Sequence, residues 1–276
     1  MSIKILCIGD IHLGRVSSKL PAQAELEHAL TPREALHRCA AAAKRLGVRI
    51  IAFTGDTADQ SSAHFEAYGA LSLFVNELSA YGMRFFAVAG NHDFDMLQRL
   101  ARTIPEFHVL GADGKWEYQS LEIEGERLIL QGKSFTEPHS SQNPLADYVA
   151  PPPGVPCLAL LHCDLGGDTR YAPAQLSEMA AKPPLAWLLG HVHKPGIHQK
   201  NPFIFYPGIL HPLDPGESGP HGPWLVEIEG GALKAEMLPL APLRYESLEV
   251  SLEGASSLQE ARTLVATYLE NWKRDH

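Results

Sequence analysis

The sequence has no apolar run approaching the roughly 18–20 residues that a bilayer span requires. Its first residues, Met1-Ser2-Ile3-Lys4-Ile5-Leu6, pass straight into a strand pattern and lack the anatomy of a signal peptide. Cysteine is scarce. The four present, Cys7, Cys39, Cys157 and Cys163, show no Cys-x-x-Cys spacing, and three lie in apolar runs, which predicts buried free thiols. Together these absences predict a cytoplasmic protein with no membrane attachment. No internal repeat or low-complexity tract is found. Positive charge is in short supply: 23 Lys and Arg against 32 Asp and Glu give a net charge of -9, which counts against a simple electrostatic nucleic-acid binder. It counts only modestly, because carboxylates gathered at a metal site are neutralised by the cations they hold.

What is there is histidine, 14 residues of it, in a chain of 276 that suits one large domain or one domain plus an appendage. A hydrophobic content of 45% supports a sizeable core. Residues 3–8 read as a buried strand ending in Gly9-Asp10-Ile11-His12-Leu13-Gly14, where Asp10 and His12 alternate in extended backbone. Thr31 and Pro32 open a helix that Gly47 stops. Residues 49–54 form a second strand, ending in Gly55-Asp56-Thr57-Ala58-Asp59, and a helix follows from about Ala63 to Tyr81. The run Phe85-Phe86-Ala87-Val88-Ala89 ends in Gly90-Asn91-His92-Asp93 and leads to a short helix over 95–103.

Residues 116–135 alternate and carry turn glycines at Gly125 and Gly132, which predicts antiparallel strands. Residues 136–156 form a long Pro-, Ser- and Asn-rich loop. Strands return at 157–161, ending in His162, and at 185–189, ending in Gly190-His191-Val192-His193. Further strands are expected at 203–206, 224–229 and 244–252, with a Gly- and Pro-rich loop over 207–223. Ser257 and Glu260 make a capping box for a last helix with one apolar face: Leu258, Ala261, Leu264, Val265, Tyr268, Leu269 and Trp272.

Five apolar strands thus end in metal-type residues, each expected on the same edge of a sheet, where open α/β sheets bind ligands. Alone, Asp-x-His is more often a turn and His162 a satisfied core histidine. The joint pattern is what points to a site. Two divalent cations about 3.5–4 Å apart can share a bridging hydroxide and clamp a phosphate, which needs a bridging carboxylate. Mixed His, Asp and Asn donors suit first-row metals such as Mn, Fe or Zn. In this reading Asn91 is a ligand and His92 a general acid.

The set Asp-x-His, Gly-Asp-x-x-Asp, Gly-Asn-His-Asp, His and Gly-His-x-His resembles the calcineurin-like metallophosphoesterase superfamily across residues 10–193. Within it, Gly9–Gly14, Tyr171-Ala172-Pro173, Tyr206-Pro207-Gly208 and the stretch from Gly216 to Ile228 resemble the DNA-repair exonuclease branch of SbcD-like nucleases and their YhaO-like relatives. The resemblance implies an α/β fold, a four-layer α/β/β/α sandwich with two mixed sheets over residues 1–240. Residues 241–276 would be a strand-helix appendage, the possible start of a capping domain. It implies that Asp10, His12 and His193 hold one metal, that Asn91, His162 and His191 hold the other, and that Asp56 bridges them. His92 would protonate the leaving oxygen with Asp59 orienting it; from the residues alone, Asp93 is an equal candidate for that partner.

Arg15 and His211 are weaker candidates for substrate contact. Arg33, Arg38, Lys44, Arg45 and Arg49 read as a solvated helix face. His28, His37, His64, His108, His139, His198 and His276 read as structural or surface residues. The expected activity is a dinuclear-metal phosphodiesterase, a DNA exonuclease or endonuclease of DNA repair using manganese. Small phosphodiesters such as cyclic nucleotides are the alternative substrate class, and a non-catalytic scaffold the remote one. By family, DNA, an SMC-like ATPase and a second copy of the chain are the expected partners.

Overall fold

The apolar runs singled out above become strands, and they sort into the two mixed sheets that the resemblance implies. The computed structural model describes residues 2–20, 29–59, 64–167 and 170–275. The first sheet contains β1 (Ile3–Ile8), β2 (Ile50–Phe53), β3 (Arg84–Ala87), β4 (Phe107–Val109), β11 (Trp224–Glu229) and β12 (Ala232–Met237), in the order β12-β11-β1-β2-β3-β4. The second contains β5 (Glu117–Ile123), β6 (Glu126–Lys133), β7 (Cys157–His162), β8 (Ala186–Gly190), β9 (Gly196–Lys200) and β10 (Phe203–Tyr206), in the order β5-β6-β7-β8-β10-β9. Strands β1 to β4 run parallel, as do β6, β7, β8 and β10, while β11, β12, β5 and β9 join antiparallel.

The period-2 alternation of strands explains the layers. Leu6 and Ile8 of β1 face a core shared with Leu36, Cys39, Leu71 and Phe74 of the helices. Ile5 and Cys7 face the other way, against Leu130, Leu158, Leu160 and Leu188 of the second sheet. The far face of that sheet, Ala159, Leu161, Trp187 and Leu189, packs on Leu145 and Met179. Both sheets are therefore covered on both faces, which is why their strands read as continuous apolar runs. Each large side chain so buried contributes roughly 1.5–3 kcal/mol.

The helices are α1 (Pro32–Leu46), α2 (His64–Ser79), α3 (Met96–Thr103), α4 (Leu176–Ala180) and α5 (Leu258–Asp275). For α1, Thr31 Oγ1 accepts the Glu34 N–H at 3.1 Å, and Gly47 closes the helix in the left-handed region at φ 68°. The expected start of α2, Ala63, lies outside the described residues. The fourth layer is thin, made of the five-residue α4 and the 134–150 loop. All four cysteines are buried and free. Among the described residues no helix is long and apolar enough to cross a membrane.

Three expectations are corrected. Gly132 is not a turn residue but lies within β6, where a Cβ would sit 2.6 Å from Val88 Cγ1. Residues 244–252 do not form a strand. Leu248 and Val250 are half-buried on either side of exposed Glu249, but Glu246 and Ser247 break the alternation, and the segment pairs only through an isolated bridge between Ser218 and Tyr245. Alternation specifies a face, not a partner edge. The apolar face of α5 is also largely open, with Leu258 70% exposed. Its cap forms one residue off register: Ser257 Oγ accepts the Glu260 N–H, while the Glu260 carboxylate takes the N–H of Ser256.

Candidate metal centre

The five strand ends come together, though not on one sheet. Asp10, Asp56 and Asn91 follow β1, β2 and β3 of the first sheet; His162 ends β7 and His191 follows β8 of the second. The register pairs His162 with Gly190, so the β7 and β8 ends are level. The C-terminal edges of the two sheets abut at the site.

The local backbone is unusual where these side chains leave it. Asp10 (φ 32°), His12 (φ 52°), Asp56 (φ 48°) and His191 (φ 100°) all occupy positive-φ conformations that non-glycine residues rarely adopt. Each costs on the order of 1–3 kcal/mol, which the surrounding packing has to offset. Two glycines make the room. A Cβ on Gly90 would lie 2.2 Å from Asp56 Oδ1 and 2.7 Å from His162 Cε1; one on Gly190 would lie 2.0 Å from Thr54 O and 2.7 Å from His162 Nδ1.

Hydrogen bonds then fix which nitrogen of each ring is free. His162 Nδ1 donates to the Thr54 carbonyl at 3.0 Å, which leaves Nε2 as a lone pair. That Nε2 lies 3.1 Å from Asn91 Oδ1 and 3.4 Å from Asp56 Oδ2. His193 Nδ1 is 2.5 Å from Glu217 Oε1, and His12 Nδ1 is 3.3 Å from Asp59 Oδ1. Their Nε2 atoms face one another at 3.2 Å. Asp56 Oδ2 reaches one histidine of each group, lying 3.9 Å from His12 Nε2 as well. With the rings neutral and their Nδ1 protons so placed, the Nε2 contacts set acceptor against acceptor, an arrangement that a cation between them satisfies. The donor groups Asp10, His12, His193 and Asp10, Asp56, His162 each converge closely enough to hold an ion. Asn91 joins the second through Oδ1. The His191 ring stands further off, 5.3 Å centroid to centroid from His162 and 4.6 Å from Tyr171, while its main-chain N–H donates to the Asp10 carboxylate.

The electrostatics agree. Burial opposes charge on His162, but Asp56 and then Asp10 outweigh it and lift the imidazole to about 9. Burial also raises the Asp56 carboxyl, yet the neighbouring His162 leaves it below the usual carboxylate range. For Asp10 burial dominates, and its carboxyl lies above that range. Burial, reinforced by His162, holds His191 at about 4. A cavity that draws a proton onto a buried histidine draws a divalent cation to the same lone pair.

His92 stands at the open rim, its side chain 38% exposed, with Nδ1 3.5 Å from Asp59 Oδ1. Asp59 is shared: its Oδ1 also meets His12 and, at 3.9 Å, Arg15. Asp93 is elsewhere engaged. It is fully buried and accepts the N–H groups of Gly90 and Thr57, each at 2.7 Å, bracing one motif loop against another. His211 is a correction: it is fully buried with Nε2 3.2 Å from Ser17 Oγ, and so does not line an open pocket. Of the cationic set, Arg38, Lys44 and Arg49 are ion-paired to Glu34, Glu77 and Glu124. His28 and His276 lie outside the described residues. Sequence reasoning assigned no role to Glu217, Tyr171 or the Thr54 carbonyl. The first two lie in stretches that carry the narrower resemblance, and the third is invisible to any side-chain motif.

Residues 3–195 match the family model described as Calcineurin-like phosphoesterase. The uncharacterized metallophosphoesterase YhaO of Bacillus subtilis (strain 168) is 24% identical over 222 residues, 79% of this chain and 54% of that protein. The chain therefore spans about half the length of that curated relative. Among solved structures, a dimetal phosphatase from Danio rerio superposes with a TM-score of 0.52 at 12% identity, covering 88% of this chain and 97% of the other. TT1561 of Thermus thermophilus superposes with a TM-score of 0.48 at 14% identity, covering 86% and 99%. At these identities the Danio rerio likeness is one of fold.

Proposed function

The chain belongs to the calcineurin-like phosphoesterase family, and on that footing we propose that it is a phosphodiesterase working with two divalent cations and acting on DNA ends. The observation that carries the metal-dependent part is the meeting of lone pairs: His12 Nε2 against His193 Nε2, and His162 Nε2 against Asn91 and Asp56 oxygens. Asp10, His12 and His193 would hold one cation, Asn91, His162 and His191 the other, with Asp56 between. Mixed nitrogen and oxygen donors favour manganese, iron or zinc over magnesium or calcium. When bound, such a pair of ions supplies an activated water and neutralises the phosphate.

The chain's own residues do the rest. His92, exposed at the rim, donates a proton to the departing oxygen. Burial holds its imidazole below the ordinary value, and an incoming phosphate raises it toward the protonated form that an acid requires. Asp59 turns the ring, and Arg15, 45% exposed beside it, pairs with a non-bridging phosphate oxygen. DNA as substrate is supported by the motif resemblance beyond the metal ligands and by the exposure of His92 and Arg15, which a polymer can reach.

A second reading has its own support. The net charge of -9 suits a small substrate better than a polyanion, and a cavity of about 110 Å³ bounded by Phe135, Thr136 and His162 is sized for a small group. One assay separates the two: manganese-dependent cleavage of end-labelled DNA measured beside a small chromogenic phosphodiester. The DNA reading expects both to be cut. Cleavage of the small ester alone would replace it with the second.

A further inference from the structure

One carboxylate touches the ligand set from behind. Glu217 sits in the loop between β10 and β11, its side chain only 18% exposed. Oε1 lies 2.5 Å from His193 Nδ1, and Oε2 accepts the N–H groups of Leu213 at 2.6 Å and Asp214 at 3.2 Å. Its own carbonyl is 3.1 Å from His221 Nε2. The next two residues tie to the C-terminal segment, through the Ser218–Tyr245 bridge and the Gly219 N–H donated to Tyr245 O at 2.8 Å. Both oxygens are thus committed, and the loop that carries them is pinned from three directions.

We propose that Glu217 is the positioning residue of His193: it fixes the proton on Nδ1 and the ring in place, so that Nε2 presents a lone pair to the cation shared with Asp10 and His12. This rests on the metal-dependent reading above. The reason is proton bookkeeping. A neutral imidazole has one N–H, and only its other nitrogen can ligate. A carboxylate can only accept, so one set against Nδ1 selects the ligating tautomer and raises the basicity of Nε2. Nothing local in the sequence shows this, since Glu217 and His193 are 24 residues apart and meet only through the turn of the loop.

The test uses Glu217→Gln. Both glutamate oxygens accept N–H groups, but glutamine has one oxygen and one amide. If the amide faces His193, it donates to Nδ1 and favours the Nε2–H form, which closes the lone pair. If it faces Leu213 and Asp214, three donors confront each other. Asp214→Asn is the control: Asp214 shares the loop and accepts from Ser18 and Gly216 without touching His193. Calorimetric titration of the metal-free full chain with Mn²⁺ should show two ions for the wild type and for Asp214→Asn. In Glu217→Gln one of the two should bind about 10–100-fold more weakly.

Equal binding by wild type and Glu217→Gln, or an equal loss in Asp214→Asn, would overturn the proposal while leaving the metal centre standing. A wild type that takes up no Mn²⁺ would overturn both. Should Glu217→Gln fail to fold, the ¹⁵N spectrum of the His193 ring in the metal-free wild type decides, recorded at alkaline pH. The proposal requires the proton on Nδ1; a proton on Nε2 contradicts it.

Discussion

Nε2 of His12 and Nε2 of His193 face one another at 3.2 Å, one ring carried on the end of the first sheet and the other on the second. Each has its Nδ1 against a carboxylate, Asp59 for His12 and Glu217 for His193. In the neutral rings that leaves both Nε2 atoms as lone pairs, and two lone pairs at that distance repel unless positive charge lies between them. The pair is a preformed seat for a cation, set where the two sheets meet.

Filling that seat should stabilise the fold. An ion that binds only the native chain, supplied at 100 times its dissociation constant, contributes about 2.7 kcal/mol per site. For a chain of this size each kcal/mol moves the melting temperature by about 2–4 °C. Mn²⁺ should therefore raise Tm by about 5–10 °C per site in a thermal melt, and EDTA should reverse the shift. An unchanged melt would count against any preformed site.

Chemistry and metal binding should separate at His92. Replacing it with Gln removes the proton donor at the rim and leaves the donor groups Asp10, His12, His193 and Asp10, Asp56, His162 in place. Turnover should fall by about 10²–10⁴-fold. Metal content, measured on the same preparation, should stay at the wild-type level. A fully active variant would remove His92 from the mechanism.

Two glycines should respond in opposite directions to alanine. In Gly90→Ala the new Cβ meets Asp56 Oδ1 and the His162 ring, so the variant should lose about 1–3 kcal/mol and bind Mn²⁺ more weakly. Gly69 lies inside α2 with nothing within 4 Å of an added methyl, and Gly69→Ala should gain about 0.5–1 kcal/mol. Urea denaturation of the three proteins in EDTA and in Mn²⁺ tests both halves.

Acid should weaken the fold partly through His211. Burial, helped by His221, holds this imidazole at about 4, against the push upward from the Leu30 carbonyl and Glu217. Its folded value lies below the unfolded one of about 6.5. The unfolded chain therefore takes up a proton first as pH falls, and stability present above 6.5 is lost between 6.5 and 4. A shift of that size corresponds to roughly 3 kcal/mol across the window. Denaturation midpoints in EDTA should fall more steeply over this range in the wild type than in His211→Gln. Parallel slopes would contradict the assignment.

The strand ends were legible because buried strands leave a plain mark, an apolar run that stops on a polar residue, and because at Gly55, Gly90 and Gly190 the glycine before it is required by the close approach of the His162 ring. What the chain does not display is which strands share a sheet. The runs before Asn91 and His162 read alike, yet one belongs to each sheet. The strand expected over 244–252 failed for the related reason that its alternation found no edge to join. Strands β9 and β12, both short and half-exposed, carried too weak a pattern to anticipate. Glu217 escaped because loop residues have no periodicity, and its contact with His193 is made only when β8 and the loop after β10 fold together.

The most direct test of the central claim is the metal-to-protein ratio of the Mn²⁺-loaded, gel-filtered chain, measured by mass spectrometry of the elements, for wild type and for a variant lacking the two carboxylates of the proposed ligand set, Asp10→Asn with Asp56→Asn. The geometry predicts two ions per chain in the wild type and fewer than one in the variant. Less than one ion in the wild type, or two in the variant, would contradict it.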